Sequence, residues 1–217
     1  MSELQHQSEN SARRGRLFYI MGASGAGKDT LLRGCRERTG EAPGLLVAHR
    51  YITRTPDGGT EHHVWLSDAE FEQRVTLGAF AMHWSANGFR YGIGREIDLW
   101  LAGGSPVLVN GSRGYLDAAR ARYGSTLIPV LITVDPDRLQ RRLRLRGRED
   151  NEAIAARLRR ARELQQQLPP DCLVIENNGE PDTAVGELLT AIAAPQDHRP
   201  TGERARPAQH QTESWQQ

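Results

Sequence analysis

Short runs that are apolar at almost every position punctuate the chain: LFYIM at 17–21, GLLVAH at 44–49, PVLVN at 106–110, LIPVLITV at 127–134 and CLVIEN at 172–177. A half-exposed strand alternates apolar with polar, so runs like these suit parallel strands covered on both faces. Between them, helical spacing or capping residues mark 28–39, 67–77, 95–103, 113–122, 135–146, 151–167 and 181–193. In 151–167, Ile154, Leu158, Ala161 and Leu164 form one apolar stripe, and arginines fill much of the rest. Strands separated by helices predict an α/β fold built on a parallel, doubly wound sheet.

The pattern fades at both ends, where Gln, Arg, Pro and Ser replace aliphatics. One domain is therefore expected over 16–193, with disordered tails at 1–15 and 194–217. A length of 217 residues with 38% hydrophobic content supports a single core of that size. Net charge is only +1, so no global field argues for nucleic acid or membrane, and any basic patch must be local. The N-terminus lacks the apolar stretch of a signal peptide, and the run at 127–134 is too short to span a bilayer, so a cytoplasmic protein is expected. Cys35 and Cys172 lie far apart without metal-binding spacing, which suits reduced, partly buried thiols.

Candidate chemistry begins at GASGAGKDT, 22–30, between the first strand and the first helix. Gly22, Gly25 and Gly27, with Ala23, Ser24 and Ala26 between them, allow successive N–H groups to face inward on anionic oxygens, and the helix N-terminus adds its dipole. Lys28 is the single lysine beside 27 arginines. A compact ammonium bridges β- and γ-phosphate oxygens inside a tight loop, where a planar guanidinium does not fit. Asp29 stands where a phosphate-binding loop usually carries a metal-ligating hydroxyl. Its carboxylate is either a hard oxygen ligand for Mg²⁺, with Thr30 as the other candidate, or a favourable charge at the helix start.

Two further groups are cationic. Arg50 and Arg54 follow the second strand, at the carboxyl end where open α/β sheets bind ligands, and are either phosphate-gripping forks or surface charges. Tyr91, in RYGIG, is a hydroxyl donor or a packing aromatic. His62 and His63 lack the neighbours of a zinc site, which leaves hydrogen bonding or loop packing. Residues 138–162 carry ten arginines, interrupted by Gly147, which is a plausible hinge. Such a run suits a lid closing on phosphates; nucleic-acid binding is the rival reading, weakened by the lack of aromatics for stacking.

GASGAGKDT, ITRTP (52–56), YG (91–92), RLRLRGRE (142–149) with ARL (156–158), and CLVIENN (172–178) together resemble the guanylate kinase branch of the P-loop nucleoside monophosphate kinases, over about 16–193. The departures matter. The second phosphate-gripping arginine of that family falls at Asp57, its tyrosine near His63, and its guanine-reading carboxylates near Met82 or His83 and in VNGSR, 109–113. Without those acceptors guanine would lack partners, and sites built on such bonds discriminate strongly. The same departures, with VAHRYITR (47–54), ANGFRYGIGREIDLWL (86–101) and VLVNGSRGYLDAARARY (107–123), resemble the ribose 1,5-bisphosphate phosphokinases of bacterial phosphonate catabolism.

That resemblance implies a three-layer P-loop kinase fold with a substrate-binding insertion at about 50–95 and an Arg-rich lid at about 140–158. It implies ATP as donor, Mg²⁺, and the small molecule ribose 1,5-bisphosphate as acceptor, with no nucleic-acid or membrane partner. Residues 22–30 would hold ATP and metal; Lys28, Arg146 and Arg148, with Arg142 or Arg157, would face the transferring group. Arg50, Arg54, Tyr91, Asn110 and Arg113 would bind the acceptor, and Glu96 and Asp98 are weaker candidates that serve equally as a helix start. A nucleoside monophosphate kinase with altered base choice and a non-catalytic binding module are the rivals; retention of Lys28 and the arginines speaks against the second.

Overall fold

A computed structural model describes residues 15–55, 63–146, 150–166 and 169–195. Its centre is β1 (Leu17–Met21), buried at every position. Parallel neighbours flank it on both sides: β7 (Val107–Asn110) and β8 (Leu127–Thr133), with Leu17 opposite both Val107 and Leu127. With β2 (Leu46–Val47) and β9 (Leu173–Glu176) they form a five-stranded parallel sheet in the order β2-β7-β1-β8-β9.

The two-residue period of β1 divides the core. Phe18 and Ile20 face α1 (Lys28–Glu37), α5 (Pro136–Arg146) and α7 (Pro181–Ala193), through Leu31, Leu32, Leu139, Leu143, Val185 and Leu188. Leu17, Tyr19 and Met21 face α3 (Glu96–Ala102) and α4 (Leu116–Tyr123), through Ile97, Leu101, Leu116 and Ala119. Helices thus cover both faces, which is why the strands read as continuous apolar runs. Among the described residues no helix is long and apolar enough to cross a membrane.

Residues 50–55 and 63–94 depart from the pattern-based reading, which gave them one helix and no strands. They form a second sheet of β3 (Arg50–Ile52), β4 (His63–Trp65), β5 (Phe80–Ala86) and β6 (Phe89–Gly94), ordered β4-β3-β6-β5. Between β4 and β5 lies α2 (Asp68–Thr76), capped by the Ser67 hydroxyl accepting from the Glu70 N–H at 3.2 Å. The strand expected at 44–49 contributes only Leu46 and Val47 to the main sheet before the chain crosses to the second. His, Ser, Arg and Gly break the hydrophobic runs of β5 and β6, hiding the hairpin. Its legible signal is Asn87-Gly88, with φ values of 50° and 78°, a two-residue turn.

The sixteen residues of α6 (Asn151–Gln166) follow α5 with Gly147 and Arg148 between them, outside the described residues. Ile154 is buried and Leu158 packs against the core, as the stripe predicts; Ala161 and Leu164 have side chains outside the described set. Gly15, read from composition as tail, donates its N–H to the Leu101 carbonyl at 2.8 Å.

Candidate active site

Residues 22–27 link the C-terminal end of β1 to the N-terminus of α1. Gly25 and Gly27 have φ values of 93° and 90°, in the left-handed region that favours glycine. Space as well as conformation demands glycine there. A Cβ on Gly25 would lie 2.9 Å from Leu139 Cδ1, and one on Gly27 would lie 2.3 Å from Asn177 Nδ2. The Lys28 ammonium donates to the carbonyls of Gly22 at 2.8 Å and Ala23 at 3.0 Å, so the single lysine sits within its own loop.

Asn177, which the pattern reading passed over, braces this loop from below. It is 2% exposed, its Nδ2 donates to the Ala26 carbonyl at 2.7 Å, and its own carbonyl accepts from Arg142 Nη2 at 3.2 Å. One residue thus joins the phosphate loop, the end of β9 and the arginine-bearing helix α5. The signal available in the sequence was an uncharged polar side chain just past the end of a mostly apolar strand.

Asp29 opens α1, as its helix-start reading requires, and does more than that. Its Oδ1 accepts from Arg50 Nη2 at 3.0 Å and from Asn110 Nδ2 at 2.9 Å. Three residues that the sequence nominated separately, from the phosphate loop, β3 and β7, therefore meet at one oxygen. Arg50 is largely buried here, which excludes the surface-charge reading. Thr30 lies in the same first turn, partly exposed. Asp29, Arg50 and Asn110 border a small, open cleft that Leu32, Arg36 and Ala48 also line. Arg36 was not among the sequence candidates, since an arginine on a helix carries no mark of its own.

The remaining candidates divide. Arg54 lies with its Cζ 5.8 Å above the Phe89 ring, and its carbonyl is 3.1 Å from His63 Nε2, so His63 closes the loop after β3. Tyr91 is 7% exposed and stacks on Trp84 at 5.6 Å and 5° between ring planes; Arg50 Cζ sits 5.9 Å over its ring. Its packing role is thereby visible: it backs Arg50. Trp84 also meets Tyr115, so it belongs to an aromatic wall. Arg113 begins the turn after β7, and that turn is held by a reciprocal pair in which Tyr19 Oη donates to the Ser112 carbonyl and accepts its N–H, both at 2.9 Å. Burial pushes the Tyr19 hydroxyl above its ordinary range, keeping it neutral.

Asp98 accepts from Tyr123 Oη and Arg122 Nη2, each at 2.8 Å, clasping α3 to α4 at the start of α3. Glu96 likewise lies in the first turn of α3. Arg146 ends α5 with its side chain outside the described set, and Arg148, Asp57 and His62 lie outside the described residues altogether.

No protein-family model matches the chain. Over 173 residues it is 53% identical to the Ribose 1,5-bisphosphate phosphokinase PhnN of Yersinia pestis, covering 80% of this chain and 89% of that one. Its identity to the protein of the same name from Thiobacillus denitrificans is 48% over 184 residues, covering 84% and 95%. Among solved structures, a guanylate kinase from Anaplasma phagocytophilum matches with a TM-score of 0.54 at 20% identity, covering 85% of this chain and 89% of that one, a likeness of fold. With about half its residues identical over most of the length of such relatives, the chain is a kinase and belongs to the ribose 1,5-bisphosphate phosphokinase family.

Proposed function

We propose that this enzyme moves the γ-phosphoryl group of ATP onto the 1-phosphate of ribose 1,5-bisphosphate, forming 5-phospho-α-D-ribose 1-diphosphate and ADP. An oxygen of the acceptor phosphate forms the new bond to the γ-phosphorus, and the bond to the β-bridging oxygen breaks. A phosphate acceptor is already ionised near neutral pH, so no general base is required. What the chemistry needs is two anions held in line while charge is neutralised.

The observation that carries the reading is the junction at Asp29. One carboxylate oxygen joins the residue after Lys28, on the donor side, to Arg50 and Asn110, on the acceptor side. In this reading Gly22 to Gly27 and the N-terminus of α1 receive the triphosphate, Lys28 neutralises β- and γ-oxygens, and Arg50 and Arg54 grip acceptor phosphate. Asn110 and Arg113 face the ribose and its phosphates. Arg142, Arg146, Arg148 and Arg157 supply charge from the lid.

Thr30 and the second oxygen of Asp29 are the protein atoms on offer to Mg²⁺, which typically takes few protein ligands beside phosphate oxygens and water. The metal would spread the negative charge of the transferring group. Met82 argues against a guanine acceptor, because one candidate position for a base-reading carboxylate is an apolar side chain fully buried in the core. ATP as donor suits a cytoplasmic enzyme.

The test is phosphorus NMR of purified protein with ATP, Mg²⁺ and, in separate reactions, ribose 1,5-bisphosphate, GMP and AMP. A diphosphate doublet growing only with the sugar is expected. Preference for a nucleotide would replace the sugar assignment.

A further inference from the structure

The peptide unit between Ala26 and Gly27 closes the phosphate loop, and its orientation is set from outside that loop. Among the described residues no peptide bond is cis, so this planar unit points its carbonyl and its N–H in opposite directions. The carbonyl is held: Asn177 Nδ2 donates to it at 2.7 Å, and Ala26 is fully buried while Gly27 is half-buried. The Gly27 N–H therefore points away from Asn177, toward the open side of the loop. Gly27 has left-handed dihedrals, φ 90° and ψ 15°, and Lys28 begins the right-handed helix α1. A left-handed residue followed by a right-handed one turns successive N–H groups into one anion-binding concavity. Its first donor is aimed by Asn177.

Because the Ala26 carbonyl is an acceptor, the side-chain amide must turn its nitrogen to the loop. Its Oδ1 is then left buried, without a hydrogen-bond partner among the described residues. A buried amide with an unpaired oxygen is costly, and an apolar side chain would fill the same space without that cost. What the amide supplies is the bond to Ala26. The main chain of Asn177 adds two further ties. Its N–H donates to the Thr133 carbonyl at 2.8 Å, which fixes it to β8, and its carbonyl accepts from Arg142 Nη2 at 3.2 Å. Arg142 Nη1 lies 3.8 Å from where a Cβ on Gly27 would stand, so the guanidinium rests against the loop. One residue, anchored in the main sheet, thus sets both a loop N–H and an arginine of α5.

We propose that Asn177 is a positioning residue for phosphoryl transfer: it fixes the Ala26–Gly27 peptide so that the Gly27 N–H faces the phosphates of the bound nucleotide, and it seats Arg142 beside them. Asn177 acts through these two groups and touches no substrate. The inference rests on the assignment of ATP as donor.

The experiment measures dissociation constants of ATP, ADP and adenosine for the full chain in the presence of Mg²⁺. Asn177→Leu fills the same space and removes the donor. It should weaken ATP and ADP alike, by about 10- to 100-fold, the range for a hydrogen bond to a charged group. Adenosine, which has no phosphate to meet the loop, should move less than about twofold. The KM for ATP should rise with the ATP constant, while the KM for ribose 1,5-bisphosphate at saturating ATP stays put. Asn177→Asp keeps the shape of the side chain and also loses the donor; it should give the same order, and it carries the test if the leucine variant does not fold. A lowered thermal midpoint with unchanged ATP and ADP affinity would make Asn177 a structural brace only. Weakening of adenosine by the same factor as ATP would make it a contact to the base or ribose. Either outcome overturns the positioning role. A wild-type chain that binds ATP, with variants that bind it equally well, defeats this inference alone; a wild-type chain that binds neither ATP nor ADP defeats the donor assignment and this inference with it.

Discussion

At position 28 the chain abandons arginine, and the structure holds that compact ammonium against the Gly22 and Ala23 carbonyls of its own loop. Lys28→Ala should lower turnover at least ~10²-fold with little change in thermal midpoint; an unchanged rate would count against the mechanism. Asp29→Asn separates two roles for the neighbouring carboxylate. If its main work is to orient Arg50 and Asn110, the acceptor KM should rise about tenfold while the Mg²⁺ concentration for half-maximal rate stays constant; a shift in the Mg²⁺ requirement would instead mark it as a metal ligand. Cys35 reports on the core. Burial pushes its thiol from the ordinary 9.0 up to about 12. Below pH 9 folded and unfolded chains both keep this proton; above it the unfolded chain loses it first, so stability falls as pH rises toward 12. Urea midpoints measured across that range should decline less steeply in Cys35→Ala than in the parent.

Among the elements, the phosphate loop depends on two supports that it does not contain. Leu139 of α5 packs against Gly25, and Asn177 at the end of β9 presses on Gly27. Gly27→Ala would place a methyl group 2.3 Å from Asn177 Nδ2 at a φ of 90°. We expect a loss of about 1–3 kcal/mol of stability, read from denaturant midpoints, and ATP binding weakened out of proportion to it. The strands of the main sheet were legible because burial on both faces forces continuous apolar runs. Strands β3 to β6 were not, because they mix buried, half-buried and exposed positions, which produces mixed runs. There only the Asn87-Gly88 turn betrays a hairpin.

Across the whole molecule, one of the two large cores is common to both sheets. Ala81, Met82 and Ile93 from the second sheet lie in the same cluster as Leu17, Tyr19 and Val109 from the first. The second sheet therefore should not melt alone. Met82→Ala is expected to cost about 2–5 kcal/mol and to lower far-ultraviolet and near-ultraviolet transitions together, as one cooperative step. Two separated transitions would mean that the sheets unfold independently.

By itself the sequence determined the parallel α/β architecture, the phosphate loop and the list of cationic residues, since these follow from local patterning, glycine spacing and side-chain chemistry. It nominated Asp29, Arg50 and Asn110 one at a time, with open roles for the first two. Only the tertiary structure decided that they converge on one carboxylate oxygen, that Asn177 supports the loop, and that Arg36 shares the cleft. Positions 29, 50, 110 and 177 are brought together by strand order and helix packing. Such juxtapositions are set by long-range burial, and no local pattern along the chain encodes them.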